Sequence, residues 1–262
     1  MLEVIEKGSS SESHPTPLLF VHGAWHGAWC WDEYFLDFFA DRGYRALAVS
    51  LRGHGKSPTP RPLRGCSIAD YVEDVKSVAD DLPNRPVVIG HSMGGLVVQK
   101  YLESNAAPAG VLMASAPAGG GGPAVLRYMR RHPWRAVKGA LTGYTMHNLD
   151  TPARARESMF SPGTPEADVV RYLARFQPES QRALFVDMPF RARPRPAQVS
   201  TPLLVLGAEL DGTFTPAEVR ATATAYGTTA EIFPEMGHDM MVEPRWDAVA
   251  ERINAWLETR SL

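Results

Sequence analysis

The chain has 262 residues, 44% of them apolar and 21% charged, the balance of a globular protein and not of a disordered one. At that length roughly 70–75% of the unfolded chain's surface can be buried, so folding needs no disulfide or metal staple. A net charge of −2 gives no electrostatic reason to expect nucleic acid, and no apolar run approaches the ~20 residues of a membrane span.

In chain order, residues 1–13 are acidic and serine-rich, with neither a basic start nor an apolar stretch to make a secretory signal. Short apolar runs of strand length then recur at Leu18–His22, Arg45–Leu51, Pro86–Gly90, Gly110–Ala114, Pro202–Gly207 and Ala230–Phe233. Most lack polar alternation, as expected of parallel strands covered on both faces. Helical patterns alternate with them: Trp31–Arg42, Ile68–Leu82, Met93–Ser104, Pro216–Tyr226 and Trp246–Glu258. In the second, Ile68, Val72, Val75, Val78 and Leu82 form one stripe, and Asp70, Glu73, Asp74 and Lys76 are expected on the solvent face. The alternation predicts an α/β fold, a doubly wound and mostly parallel sheet.

Between about Pro117 and Pro196 the alternation stops. A glycine run, Gly119 to Gly122, opens the segment, and helical pieces follow at Val125–Lys138, Pro165–Phe176 and Glu179–Asp187. Thr164, Pro165 and Glu166 form a helix start, with cap, first-turn proline and first-turn acid in order. The organisation expected is a core of residues 1–116 and 197–262 with a helical lid inserted at 117–196. The lid carries 13 Lys and Arg against 6 Asp and Glu. That excess suggests an anionic substrate group met by Arg127, Arg130, Arg131, Arg171, Arg175 or the Arg191–Arg195 cluster. Solvated helix faces are the plainer explanation. Met129, Met146, Met159, Phe160 and Leu173 could wall an apolar pocket or form the lid's own small core.

Gly90-His91-Ser92-Met93-Gly94 matches G-x-S-x-G. An apolar strand leads into it and a helix pattern follows without a gap, the context a nucleophile elbow requires. Serine is a weak nucleophile at neutral pH and needs a base. The partners in such a fold follow in the order serine, acid, histidine. Of the eight histidines only His132, His147 and His238 follow Ser92. The first two fall in the lid, which leaves His238, in a loop past the last strand. The acid belongs at the end of the preceding strand, where Ala208-Glu209-Leu210-Asp211-Gly212 offers Asp211, with Glu209 as its rival. Oxyanion donors are expected from the backbone N–H groups of Met93 and Ala24. Gly23 leaves room for the substrate oxygen. Trp25 and His91, beside those two donors, are the candidate substrate-binding residues. His22 and His26 lie four apart on a loop with no third ligand, and no metal site is expected. Cys30 and Cys66 form neither a disulfide framework nor a zinc pattern, which fits a reducing, cytoplasmic compartment.

The His22-Gly23-Ala24-Trp25 loop, the Arg52-Gly53-His54-Gly55-Lys56-Ser57 turn, the elbow, Asp211 and Gly237-His238 together resemble the α/β-hydrolase superfamily across nearly the whole chain outside the lid. The stretch from His22 to Trp29 is similar to small cofactor-free esterases related to plant methyl-ester hydrolases and hydroxynitrile lyases. The resemblance implies a serine esterase that uses no cofactor, acts on a small-molecule ester and works as a monomer or homodimer. Dehalogenases and epoxide hydrolases of the superfamily carry Asp at the position of Ser92. The lyases carry Thr at the position of Gly23 and Lys at that of Asp239; both departures favour hydrolysis. Carbon–carbon bond hydrolases, lactonases, thioesterases and perhydrolases keep the same triad and stay open, as does a receptor-like member with vestigial turnover. The Arg52–Ser57 turn is expected to be structural.

Overall fold

The computed structural model describes residues 1–142 and 145–262. Seven strands form one sheet in the order β1-β3-β2-β4-β5-β6-β7. They are β1 (Val4–Lys7), β2 (Leu18–Val21), β3 (Ala46–Val49), β4 (Val87–His91), β5 (Gly110–Met113), β6 (Leu203–Ala208) and β7 (Ala230–Phe233). All neighbours from β3 to β7 pair parallel, and β1 alone runs antiparallel, with Val4 opposite Val49. The sequence reading missed β1. It is a four-residue edge strand in which Glu6 and Lys7 follow Val4 and Ile5, too short and too polar to stand out.

The central strands are apolar on both faces because both are covered. Leu18, Phe20, Ala46, Ala48, Val87 and Ile89 pack with the helices α1 (Trp29–Asp32), α2 (Phe35–Ala40) and α10 (Trp246–Glu258). The alternate residues Leu19, Val21, Leu47, Val49 and Val88 pack with α3 (Ile68–Asp80), α4 (Met93–Leu102) and α9 (Pro216–Ala225). A period of two thus sorts each strand between two cores. Capping boxes open two of these helices: Ser67 with Asp70 on α3, and Thr215 with Glu218 on α9. The helix expected over Trp31–Arg42 is two short ones, parted at Tyr34 (φ −146°, ψ −44°). Asp74 does not face solvent: it is buried, and its carboxylate takes three N–H bonds from Arg52, the shortest at 2.6 Å. That ion pair ties α3 to the turn after β3.

Between β5 and β6 the chain leaves the sheet and builds α5 (Gly122–Arg131), α6 (Pro133–Thr142), α7 (Pro152–Met159), α8 (Glu166–Leu173) and a π-helical stretch, Ala183–Arg191. The helix expected over Val125–Lys138 is broken at His132 (φ −133°, ψ 60°), because a residue preceding proline is pushed out of the helical region. Helix α7 escaped the sequence reading. Thr164 does not cap α8; its hydroxyl donates to Glu243 Oε1 at 2.7 Å, and Pro165 occupies the cap position without a side-chain bond. No helix among the described residues is long and apolar enough to cross a membrane.

Candidate active site

Ser92 is the one residue between β4 and α4 and sits at φ 52°, ψ −118°. A non-glycine residue held there stores strain on the order of 1–3 kcal/mol. Its N–H donates to the Met113 carbonyl at 3.0 Å, and its own carbonyl accepts from Ala116 N–H at 3.0 Å. The flanking glycines are a packing requirement. A Cβ at Gly90 would collide with the Gly94 carbonyl, and one at Gly94 with the carbonyls of Val21 and His22. The serine therefore stands at the carboxyl end of the sheet, above the point where strand and helix backbones touch.

Three distant loops meet here. The Ser92 hydroxyl lies 2.9 Å from His238 Nε2, and His238 Nδ1 lies 2.8 Å from Asp211 Oδ2. The other carboxylate oxygen of Asp211 accepts backbone N–H bonds from Thr213 (2.7 Å) and Phe214 (2.9 Å). Glu209 points elsewhere and accepts from Glu235 N–H at 3.0 Å. Burial pushes the His238 pKa down, but the charge of Asp211 and its hydrogen bond outweigh it and raise it above 6.5. An imidazole with Nδ1–H donated to a carboxylate leaves Nε2 as an acceptor, facing the serine hydroxyl.

A second buried acid–imidazole group lies beside the first. Asp239 Oδ2 is 3.1 Å from His26 Nε2, and His26 Nδ1 donates to the Ala24 carbonyl at 2.7 Å. His26 thus bridges the Ala24 loop and the loop that carries Asp239. Burial raises the Asp239 pKa, yet His26 and His91 bring it below its ordinary value. His91 donates from Nε2 to the His238 carbonyl at 2.9 Å. Its burial, with His238 close by, lowers its pKa to about 3, so it is neutral. His26, His91 and Asp239 thus clamp the Ala24 loop, the elbow and the His238 loop together. The sequence hinted at this only through Asp239 adjoining His238. His91, His238 and Asp239 also bring possible metal-ligand atoms within 4.8 Å of one another. Both ring nitrogens of His238 are already engaged, by Asp211 and Ser92. His22 braces its loop, donating to the Gly23 carbonyl at 2.7 Å and accepting from Leu51 N–H at 3.0 Å.

Trp25 also has positive φ, 67°, and lines a cavity of about 250 Å³ with Val125, Tyr128, Leu184, Met188 and Phe214. Asp211 and Met159 border it as well, whereas Ser92, His238 and His91 are not part of its wall. His91 is buried under His238. The cavity wall comes largely from the inserted helices, which no motif marks. Arg127 joins them to the Asp211 loop, bonding both Glu218 oxygens at 2.7 Å and the Thr213 carbonyl at 2.9 Å. Arg171 and Arg175 reach Glu33, so these three arginines already hold carboxylates. His54, expected to be structural, lies 3.1 Å from Glu179 of the insertion, both fully buried.

Residues 18–252 match the Alpha/beta hydrolase family. Methylesterase 18 of Arabidopsis thaliana is 38% identical over 87 residues, 32% of this chain and 31% of that protein. A non-heme chloroperoxidase of Streptomyces lividans is 40% identical over 87 residues, 33% of this chain and 30% of that one. Each match therefore spans about a third of the relative's length. Among solved structures, a thermophilic esterase from Thermogutta terrifontis superposes with a TM-score of 0.76 at 20% identity, over 100% of this chain and 94% of the other. Likeness at that identity speaks for the fold, and it agrees with the sheet order and the elbow. The chain belongs to the Alpha/beta hydrolase family.

Proposed function

We propose that the protein is a serine hydrolase that cleaves a carboxylic ester through an acyl-enzyme on Ser92. The observation that carries this reading is the continuous hydrogen-bond chain Ser92–His238–Asp211, at 2.9 and 2.8 Å. Ser92 Oγ attacks the ester carbonyl while His238 Nε2 takes its proton. Asp211 fixes the tautomer and stabilises the imidazolium without taking a proton. Met93 opens α4, and the first N–H of a helix has no intrahelical acceptor; together with Ala24 N–H it would hold the oxyanion. His238 then protonates the leaving alcohol and later activates water to free the acid. Trp25 and the inserted helices, acting as a lid, would hold the apolar part of the substrate in the cavity.

Ester hydrolysis is favoured over lyase chemistry by Gly23. A Cβ there would stand 2.9 Å from Ser92 Cβ and 2.8 Å from His91 Nδ1, so this elbow is packed for glycine. The similarity to a methylesterase points the same way. The similarity to a chloroperoxidase supports a second use of the same acyl-enzyme, with hydrogen peroxide replacing water to give a peracid. The test is Ser92→Ala on a soluble aryl ester, with fluorophosphonate labelling read by mass spectrometry at Ser92. A loss of at least ~10⁴-fold in kcat is expected, and near wild-type turnover would end the proposal. Adding peroxide to the same assay and trapping peracid decides the second use.

A further inference from the structure

The inner side of α5 serves the cavity through Ala124, Val125 and Tyr128, and no residue of this helix is buried. Its other side carries Leu126 and Met129, 48% and 50% exposed, and the stripe continues on α6 with Trp134 at 84% and Val137 at 51%. Their spacing of three to five residues runs on across the break at His132. Nothing among the described residues covers these side chains. From Gly119 to Leu149 the sequence holds five Lys and Arg and no Asp or Glu. Arg127 turns to Glu218, and Arg135 lies 3.6 Å from Glu157. Arg130 and Lys138 stand exposed beside the apolar stripe, while Arg131 lies on the cavity side.

We propose that this outer face of α5 and α6 docks on an anionic lipid–water interface. Charge decides the occupant. A second copy seated through the same face would set cations against cations, with no acid on either helix to relieve them. An anionic headgroup layer accepts the cations, while Trp134, Met129, Leu126 and Val137 enter the boundary below, the pattern of an interfacial amphipathic helix. The cavity lies along the opposite side of α5, so docking sets that one helix between it and a surface where amphiphilic molecules gather. Binding needs no turnover and is therefore tested separately from ester hydrolysis, and Ser92→Ala should dock like the wild type.

The experiment is cosedimentation with vesicles of phosphatidylglycerol and phosphatidylcholine in equal parts, against pure phosphatidylcholine. Each cation near an anionic surface strengthens binding about fivefold, so Arg130 and Lys138 together give a preference on the order of 30-fold, reduced by salt. Met129→Ser with Trp134→Ser should abolish binding. Arg130→Glu with Lys138→Glu should abolish the preference for phosphatidylglycerol. Both pairs should leave hydrolysis of a soluble short-chain ester unchanged, and if one pair fails to fold the other still carries the test. Equal binding to both vesicles, or to neither, overturns the proposal. So does a dimer by light scattering that the serine pair dissociates, or capture of an acidic protein without vesicle binding.

Discussion

Asp211→Asn tests the chemistry at its most constrained point. Thr213 and Phe214 N–H groups hold one carboxylate oxygen at 2.7 and 2.9 Å, and the other takes the proton side of His238 Nδ1 at 2.8 Å. In the variant, turning the amide NH2 toward those two backbone donors would leave both unpaired, at about 1–3 kcal/mol each. The amide oxygen therefore stays with the loop and the NH2 faces His238. An NH2 only donates, so the ring's proton moves to Nε2, the nitrogen that must accept from Ser92. A bias of about 2–6 kcal/mol depletes the competent tautomer by roughly 30- to 10⁴-fold. Loss of the anion beside the imidazolium places the expected fall in kcat near the upper end, about 10³–10⁴-fold. The assay is steady-state hydrolysis of an aryl ester across a pH series, with thermal unfolding to show an intact fold. In the wild type, kcat/KM should fall as pH drops through a value above 6.5, because Asp211 raises the His238 pKa against burial. In Asp211→Asn this acid limb moves to lower pH. A loss under tenfold, or an unmoved limb in a folded variant, refutes the reasoning.

Gly23→Ala puts a methyl 2.9 Å from Ser92 Cβ; displacing the elbow by a few tenths of an ångström should lower kcat about 10–100-fold, and unchanged kinetics would mean the oxyanion loop yields freely. Asp239→Asn removes the anion that pairs with His26 and also helps to raise the His238 pKa. It should lower kcat about tenfold, change KM less than twofold and shift the acid limb downward; a pH profile superimposable on wild type would reduce Asp239 to packing. Burial lowers the His54 pKa, but Glu179 outweighs it and raises it above 6.5. Stability from that pair is complete below 6.5 and is lost as pH rises through the raised value. The gap in unfolding temperature between wild type and Glu179→Gln should therefore shrink from pH 6 to about pH 9, and a constant gap would contradict an ionised pair.

Much of this arrangement is written locally. The elbow is legible because the turn itself demands small residues: Gly90 and Gly94 stand where backbones touch. Of the six strands expected from the sequence, β2 to β6 are buried on both faces, and their apolar runs carry the signal without reference to partners; β7 is a half-buried edge strand. Edge strand β1 carries no such signal, because it is fixed by what it lies against; α7 does open on a local one, Thr151 accepting from Arg154 N–H just before Pro152. His132 shows a rule present in the sequence and overlooked, since Pro133 alone predicts the break. Asp74 shows the opposite case: its position on α3 marks it as solvent-facing, and only Arg52, brought in from another turn, makes its burial tolerable.

The order of strand, elbow, acid loop and histidine loop is a property of the chain, because the local sterics and hydrophobic periods that set each element act over a few residues. Which side chains then meet is decided by long-range packing. Asp211 instead of Glu209 beside His238, the clamp of His26 and Asp239, and a cavity walled by the inserted helices all join residues far apart in the chain. No local pattern encodes such contacts, since each exists only when the sheet brings its carboxyl ends together.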